Sequence, residues 1–149
     1  LVSRSKADLE DISRKVSARP RQEGVVFGEY LPNGIFLAYG MKSLAGEMLE
    51  LAGGAGQFPA GGILSAESLL DADPEVLVLI HMLKDEKSVS AHLDEIRRHP
   101  ILSKLRAVQN GRVHPLPLAD VHCGGARIPG GVRKLAAFLH PEIFDAPQL

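Results

Sequence analysis

The strongest constraint on the fold of this chain is an unbroken apolar run, Val76 to Ile80, which comes shortly after the dipeptide Asp73-Pro74. The run reads VLVLI and shows no alternation of apolar and polar residues. A strand with one face in water would alternate, so the run predicts a strand covered on both faces, as in a parallel sheet. Asp73-Pro74 disfavours continuation of any preceding helix. A short helix followed directly by a buried strand is therefore expected here.

Two helices are predicted before this strand, and each begins at a serine that can cap it, Ser43 or Ser65. The first has apolar residues at the spacing of one helix face, namely Leu44, Met48, Leu51 and Ala52. Gly53 or Gly54 can end it in the left-handed conformation. The second carries Glu67 in its first turn, where a carboxylate is favoured by the helix dipole.

The rest of the chain alternates between short strands and helices. Further strands are predicted at Val25 to Phe27, Ile35 to Tyr39 and Val113 to Leu118. Further helices are predicted at Lys6 to Ala18, about Asp85 to Arg98, Ile101 to Val108 and from Pro129 onward. The alternation predicts a three-layer α/β/α sandwich on a mostly parallel sheet. Pro115 and Pro117 lack the N–H that a sheet ladder needs, so their strand is expected at an edge or partly paired.

The amino-acid composition limits the classes of function that this chain can have. The 149 residues suffice for one domain with a real core, and the net charge of -1 gives no indication of a nucleic-acid or membrane surface. The single cysteine, Cys123, excludes an internal disulfide. No run approaches the roughly 18 apolar residues needed to cross a bilayer. No signal peptide is visible, but the sequence begins without Met, so the absence of a leader has little meaning.

Candidate ligand contacts follow from the rule that ligands bind beyond the carboxyl ends of strands in such sheets. The rule selects Tyr30 in the loop after the first strand, Tyr39 to Ser43 with Met41, His81-Met82, and the loop from Asp120 to Arg127 with His122 and Cys123. Imidazole, phenolate and thioether groups can all bind iron. Packing remains the alternative for the tyrosines and Met41, and a structural role remains the alternative for His81. An adjacent His-Cys pair is too small for a metal site by itself, so that loop is expected to contact an organic ligand.

Four strings of the sequence are informative together: GEMLELAGG (46–54), SAESLLDADPEVLVL (65–79), LRAVQNGRVHPLP (105–117) and GGVRKLAAFLHPEIF (130–144). Through these strings the chain resembles the C-terminal lobe of the substrate-binding proteins of ABC importers for iron-siderophore, haem and cobalamin. The strings follow the order of that family across residues 25–144. Four ordered matches make the resemblance specific, whereas any one of them alone would be weak.

The resemblance implies a two-lobed protein whose lobes are joined by one long helix and clamp the ligand between them. Residues 1–20 would be the end of that helix, residues 21–149 the C-terminal lobe, and the N-terminal lobe would lie outside this chain. Glu67 matches the exposed glutamate with which the family docks on its membrane permease. Its other role, stabilising a helix N-terminus, is compatible with docking. The protein is then expected in the periplasm or lipid-anchored on the cell surface.

The resemblance also implies a ligand class, an iron complex such as a ferric siderophore or haem, with no intrinsic cofactor and no nucleic-acid partner. Some haem-binding members have a histidine at a similar strand end, so His81 is a possible axial iron ligand. Arg127 matches a family arginine that can pair with a ligand oxygen. The aromatic residue that many members carry before the SAE-like segment is missing, and only Phe58 remains nearby. Its absence weakens the cobalamin alternative more than the siderophore one.

No catalytic constellation is visible in the sequence: there is no nucleophile beside a base, no Walker A string and no GxGxxG after the first strand. The chain is therefore expected not to be an enzyme. The alternative is a Rossmann-like enzyme domain that uses His81 and His122-Cys123 on a small metal- or nucleotide-containing substrate.

Overall fold

The computed structural model of the chain describes residues 2–122 and 125–144. Its strands are β1 (Gln22–Leu31), β2 (Ile35–Ala38), β3 (Gly54–Gly56), β4 (Gly62–Leu64), β5 (Val76–His81) and β6 (Val113–Pro117). Its helices are α1 (Val2–Ser17), α2 (Leu44–Leu51), α3 (Ala66–Ala72), α4 (Glu86–Arg98), α5 (Arg106–Gln109), α6 (Ala119–His122) and α7 (Ile128–Leu139). Short 3-10 turns occupy Pro32–Gly34, Leu102–Lys104 and Gly125–Arg127. No helix in the described part is long and apolar enough to span a membrane.

The strands form one six-stranded sheet in the order β4-β2-β1-β5-β6, and β3 pairs with β1. β1 is parallel to β3 and β5, and β5 is parallel to β6. β2 is antiparallel to both β1 and β4, so β4 again points in the direction of β1. The predicted sandwich on a mostly parallel sheet is therefore confirmed.

β1 and β2 form a hairpin because the chain reverses at Pro32–Gly34. Asn33 and Gly34 have φ values of 66° and 75°, and these two residue types tolerate that left-handed region. The sequence predicts this turn. It wrongly places Tyr30 inside the loop, since Tyr30 lies in β1 and pairs with Phe36 of β2.

Two hydrophobic clusters, one on each face of the sheet, show that the sheet is covered on both sides. In β5, Val76, Val78 and Ile80 pack with residues of α1, α2 and α7. Leu77 and Leu79 pack on the opposite face with residues of α3, α4 and α5. The five apolar residues of β5, Val76 to Ile80, are each at most 3 % exposed. The expectation of a strand buried on both faces is confirmed, and each such side chain stabilises the fold by about 1.5–3 kcal/mol.

β6 is an edge strand, as its prolines predict. The Leu77 N–H donates to the Arg112 carbonyl and the Leu118 N–H donates to the His81 carbonyl, so the even-numbered positions of β6 face β5. Pro115 and Pro117 occupy the odd-numbered positions, which point away from β5. Their missing donors therefore leave the ladder intact and remove N–H groups only from the open edge.

The pairing of residues between neighbouring strands shows that β1, β4 and β5 end at about the same level of the sheet. Gly28 pairs with Leu79, so Tyr30 lies level with His81, while Tyr30 pairs with Phe36 and Phe36 pairs with Leu64. We call this end of the sheet the carboxyl edge. The opposite end, where the Gln22 N–H donates to the Gly53 carbonyl, is the amino edge. Because β2 and β1 lie between β4 and β5, three strand spacings of about 4.8 Å separate the ends of β4 and β5, a distance of about 14 Å.

Candidate functional site at the carboxyl edge

His81 ends β5 at the carboxyl edge and is only partly buried. Its Nδ1 accepts a hydrogen bond of 3.1 Å from the Leu83 backbone N–H. Burial lowers the pKa of His81, the nearby His92 lowers it further, and Asp120 acts in the opposite direction. The ring is therefore neutral near pH 7 and is held in a fixed orientation.

Two adjacent clefts meet at His81. The first, which we call the upper cleft, has a volume of about 380 Å³ and is lined by His81, Met82, Leu83, Pro117, Leu118, Ala119 and His122. The second, which we call the lateral cleft, has a volume of about 310 Å³. It lies against the open edge of β6, between side chains of α4 and side chains of α7. Lys134 lines the lateral cleft and forms a 2.6 Å ion pair with Asp120. Lys84, Asp85, Glu86 and Ser90 also line the lateral cleft. His81 and Lys134 thus supply N–H donors beside both apolar side chains and carboxylates.

Exposed apolar side chains extend this surface across the sheet. Met82 is 72 % exposed and Ile63 is 74 % exposed. Ile63 pairs with Leu37, which pairs with Glu29, so it lies one residue below the level of His81. Ile35 and Leu83 are also exposed near this edge. Sequence reasoning missed Ile63 and Ile35, because their exposure depends on which parts of the sheet are covered by helices distant in the chain, and no local pattern shows this.

Tyr30 lies at the level of the site, but its side chain belongs to the core. It is 8 % exposed, and its hydroxyl donates to Glu95 Oε1 at 3.2 Å. Its ring meets His92 edge to face with centroids 4.9 Å apart. Burial, followed by the charge and hydrogen bond of Glu95, raises the pKa of Tyr30. These contacts agree with a packing role for Tyr30, which the sequence leaves open as the alternative to ligand binding.

Tyr39 and Met41 were selected because they follow a strand, but that strand, β2, runs antiparallel. Its carboxyl end therefore points away from the carboxyl edge, and the Tyr39 N–H donates to the Phe27 carbonyl in the middle of β1. Burial raises the pKa of Tyr39 to about 12, and Glu29 contributes through a hydrogen bond and its charge. Met41 Sδ accepts the Gly56 N–H at 3.3 Å. The strand-end reason for choosing these two residues is thus wrong.

His122 and Arg127 are exposed, and His122 lines the upper cleft. Arg127 ends the 3-10 turn Gly125–Arg127, next to the start of α7. Cys123 lies outside the described residues. No group of three or more metal-binding side chains occurs in the described ranges, 2–122 and 125–144. The described part of the edge thus combines exposed apolar side chains, N–H donors and the carboxylates of Asp85 and Glu86 at the lateral cleft.

Glu67 lies in the first turn of α3, which begins directly after β4 at the same edge of the sheet. Ser65 caps this helix by accepting the Ser68 N–H at 3.1 Å, as the sequence predicts. Glu67 is exposed, so its carboxylate faces solvent and is available to a partner. Glu67 lines neither cleft, and α3 packs on the sheet face opposite to α6, whose Ala119 and His122 line the upper cleft.

The sequence matches the family model described as periplasmic binding protein over residues 1–118. The chain belongs to the periplasmic binding protein family. Members of this family bind solutes, so the enzyme alternative has no support at the family level. No curated protein sequence matches the chain significantly.

Solved structures of periplasmic binding proteins share the fold. A periplasmic binding protein from Veillonella parvula superimposes with a TM-score of 0.83 at 21 % identity, covering 99 % of this chain and 47 % of its own. An ABC-type Fe3+-hydroxamate transport protein from Saccharomonospora viridis gives 0.71 at 22 % identity, with 92 % and 47 % covered. The periplasmic haem-binding protein BhuT, in complex with two haems, gives 0.72 at 22 % identity, with 95 % and 55 % covered. The chain therefore spans about half the length of the structures it matches, as expected for one lobe of a periplasmic binding protein.

Proposed function

We propose that this chain is the C-terminal lobe of the solute-binding component of an ABC importer, and that the whole protein captures an iron complex and delivers it to a membrane permease. The observation that carries the proposal is the concentration of exposed apolar side chains and N–H donors at the carboxyl edge. Such a surface suits a partly apolar ligand with oxygen acceptors at its periphery. The similarity to proteins named for Fe3+-hydroxamate transport and haem binding supports iron complexes as the ligand class.

The other half of the binding site would belong to an N-terminal lobe outside this chain. α1 is the proposed end of the helix between the lobes. Its apolar stripe is buried against the rest of the fold, with Ile12 at 0 % and Val16 at 7 % exposure. A helix anchored in this way would transmit only small movements between the lobes. The proposed location is the periplasm, or the outer cell surface with a lipid anchor.

Cobalamin is a weaker candidate ligand. The family aromatic that stacks on the ligand is missing, and Phe58, the nearest aromatic residue, is only partly exposed and packs against the cluster beneath α3 and α4. A ferric siderophore or haem therefore fits the proposal better. Glu67 is the proposed permease contact because it is exposed at the edge where the ligand would bind, yet lines neither cleft.

A titration of the full-length protein with a ferric trihydroxamate and with haemin tests this proposal. We expect Ile63→Asp to weaken binding of the preferred complex about tenfold or more, because a carboxylate would then face the apolar ligand surface. Leu51→Asp is the matched control, since Leu51 is 42 % exposed but lies in the last turn of α2, towards the amino edge. Equal affinities for both variants, or no binding of either complex, would contradict the proposal.

A further inference from the structure

The orientation of the His81 ring determines what it can offer to a ligand. Nδ1 accepts the Leu83 N–H at 3.1 Å, and a nitrogen that accepts a hydrogen bond carries no proton. The proton of the neutral ring is therefore on Nε2. The imidazole thus offers an N–H donor, not a lone pair, at the junction of the two clefts.

Binding a metal through Nε2 would require the opposite tautomer. The proton would move to Nδ1 and face the Leu83 N–H, so two donors would meet and the Leu83 backbone group would lose its partner. An unsatisfied backbone donor is costly wherever water is excluded, as it would be once a ligand fills the clefts. The local hydrogen bond therefore disfavours the axial-ligand role, which the resemblance gives only as one possible role of His81.

The surroundings of His81 also suit hydrogen bonding to an organic periphery. Lys134 lines the same lateral cleft, and Asp120 holds its ammonium group at 2.6 Å. Leu83, Pro115 and Pro117 provide apolar contacts beside these donors. Lys84, Asp85, Glu86 and Ser90 at the start of α4 also line the cleft, and the Asp85 carboxylate accepts the Ser88 N–H at 2.7 Å. A ligand seated here would meet the N–H donors of His81 and Lys134, several apolar carbons and, on the α4 side, carboxylates.

We infer that His81 is a specificity residue that donates its Nε2–H to an oxygen atom of the bound ligand and does not coordinate its metal. The inference rests on the proposed function, because it requires an iron complex in this site. It narrows the ligand to complexes with oxygen acceptors on their outer surface and an iron coordination sphere completed without His81. A ferric trihydroxamate has this chemistry.

Three substitutions at His81 in the full-length protein test the inference. In His81→Gln the side-chain amide can donate from about the position of Nε2, and in His81→Asn it reaches only the position of Nδ1. We expect His81→Ala and His81→Asn to weaken binding of a ferric trihydroxamate about tenfold, the effect of losing one hydrogen bond, and His81→Gln to remain within about threefold of wild type. The absorption spectrum of the bound iron should be the same in all three variants.

Nitrogen NMR of the imidazole groups reads the tautomer directly, with Nε2–H expected at pH 7. An Nδ1–H tautomer would overturn the donor role while leaving the proposed function intact. A change in the absorption spectrum of the bound iron that all three variants share would also overturn the donor role, because it would identify His81 as a metal ligand. If the full-length protein binds neither the trihydroxamate nor haemin, the proposed function and this role fall together.

Discussion

His114 lies in the edge strand β6, and α7 covers its ring. The ring stacks on Phe138 of α7 with centroids 4.5 Å apart and planes inclined by 2°. Burial lowers the pKa of His114 to about 4, and the charge of Arg112 adds to the shift. His140, which caps the end of α7, is also buried, with 5 % exposure.

The low pKa of His114 makes stability depend on pH. Between the ordinary histidine value of 6.5 and about 4, the unfolded chain binds a proton at this position that the folded chain does not bind. The free energy of unfolding should therefore decrease as the pH falls through this window, by up to about 3 kcal/mol from this group. His114→Phe retains an aromatic ring but cannot be protonated. Denaturant unfolding at pH 7 and pH 4 should show a smaller decrease for the variant, and equal decreases would contradict the assignment.

The sequence predicts the environment of a residue well when that residue contacts only its neighbours along the chain. The Ser43 hydroxyl accepts the Gly46 N–H at 3.0 Å, and Ser65 caps α3 in the same way, because an N-cap involves only residues i to i+3. Tyr39 was misplaced because its environment depends on the direction of β2 in the sheet. The exposure of Ile63 likewise depends on where distant helices end.

At the level of elements, helices and long strands are predictable and the shortest strands are not. β3 and β4 have three residues each and are rich in glycine, so they have no periodicity of their own and exist through pairing with β1 and β2. α6 was expected as part of a loop for a similar reason, since it is a single turn. By contrast, α4 and β5 have the length and apolar pattern that local reasoning requires.

The two neighbouring glycines of α7 give a test of helix packing. A Cβ on Gly131 would overlap the Asp120 carbonyl oxygen and lie 2.6 Å from Met48 Cε, so the close contact of α7 with α6 and α2 requires glycine there. Gly131→Ala should lower the free energy of unfolding by about 1–3 kcal/mol.

Gly130→Ala is the matched control, because nothing lies within 4 Å of the position that its Cβ would take. We expect this variant to be more stable than the wild type by about 0.5–1 kcal/mol, since alanine restricts the unfolded chain and favours a helix. Chemical denaturation of both variants measures the difference. A Gly131→Ala variant as stable as Gly130→Ala would show that α7 is not closely packed at this point.

At the level of the whole molecule, the parallel strands, the hairpin and β4 bring distant parts of the sequence to one edge. Met82 follows β5 and Ile63 lies in β4 on the other side of the sheet centre, yet both are exposed at the carboxyl edge. Glu67 begins a helix at the same edge without lining either cleft. One end of the lobe would therefore meet both the ligand and the permease, which suits a protein that hands its ligand over.

Uptake of radioactive iron tests this central claim most directly. Cells that contain the permease and the full-length protein would be supplied with the iron complex that the protein binds, and Glu67→Ala would be compared with Asp71→Ala, another exposed carboxylate on α3. We predict that removing the protein abolishes uptake, and that Glu67→Ala reduces uptake several-fold without changing ligand affinity, whereas Asp71→Ala changes neither. Uptake that does not depend on the protein, or that is the same for Glu67→Ala and wild type, would contradict the account.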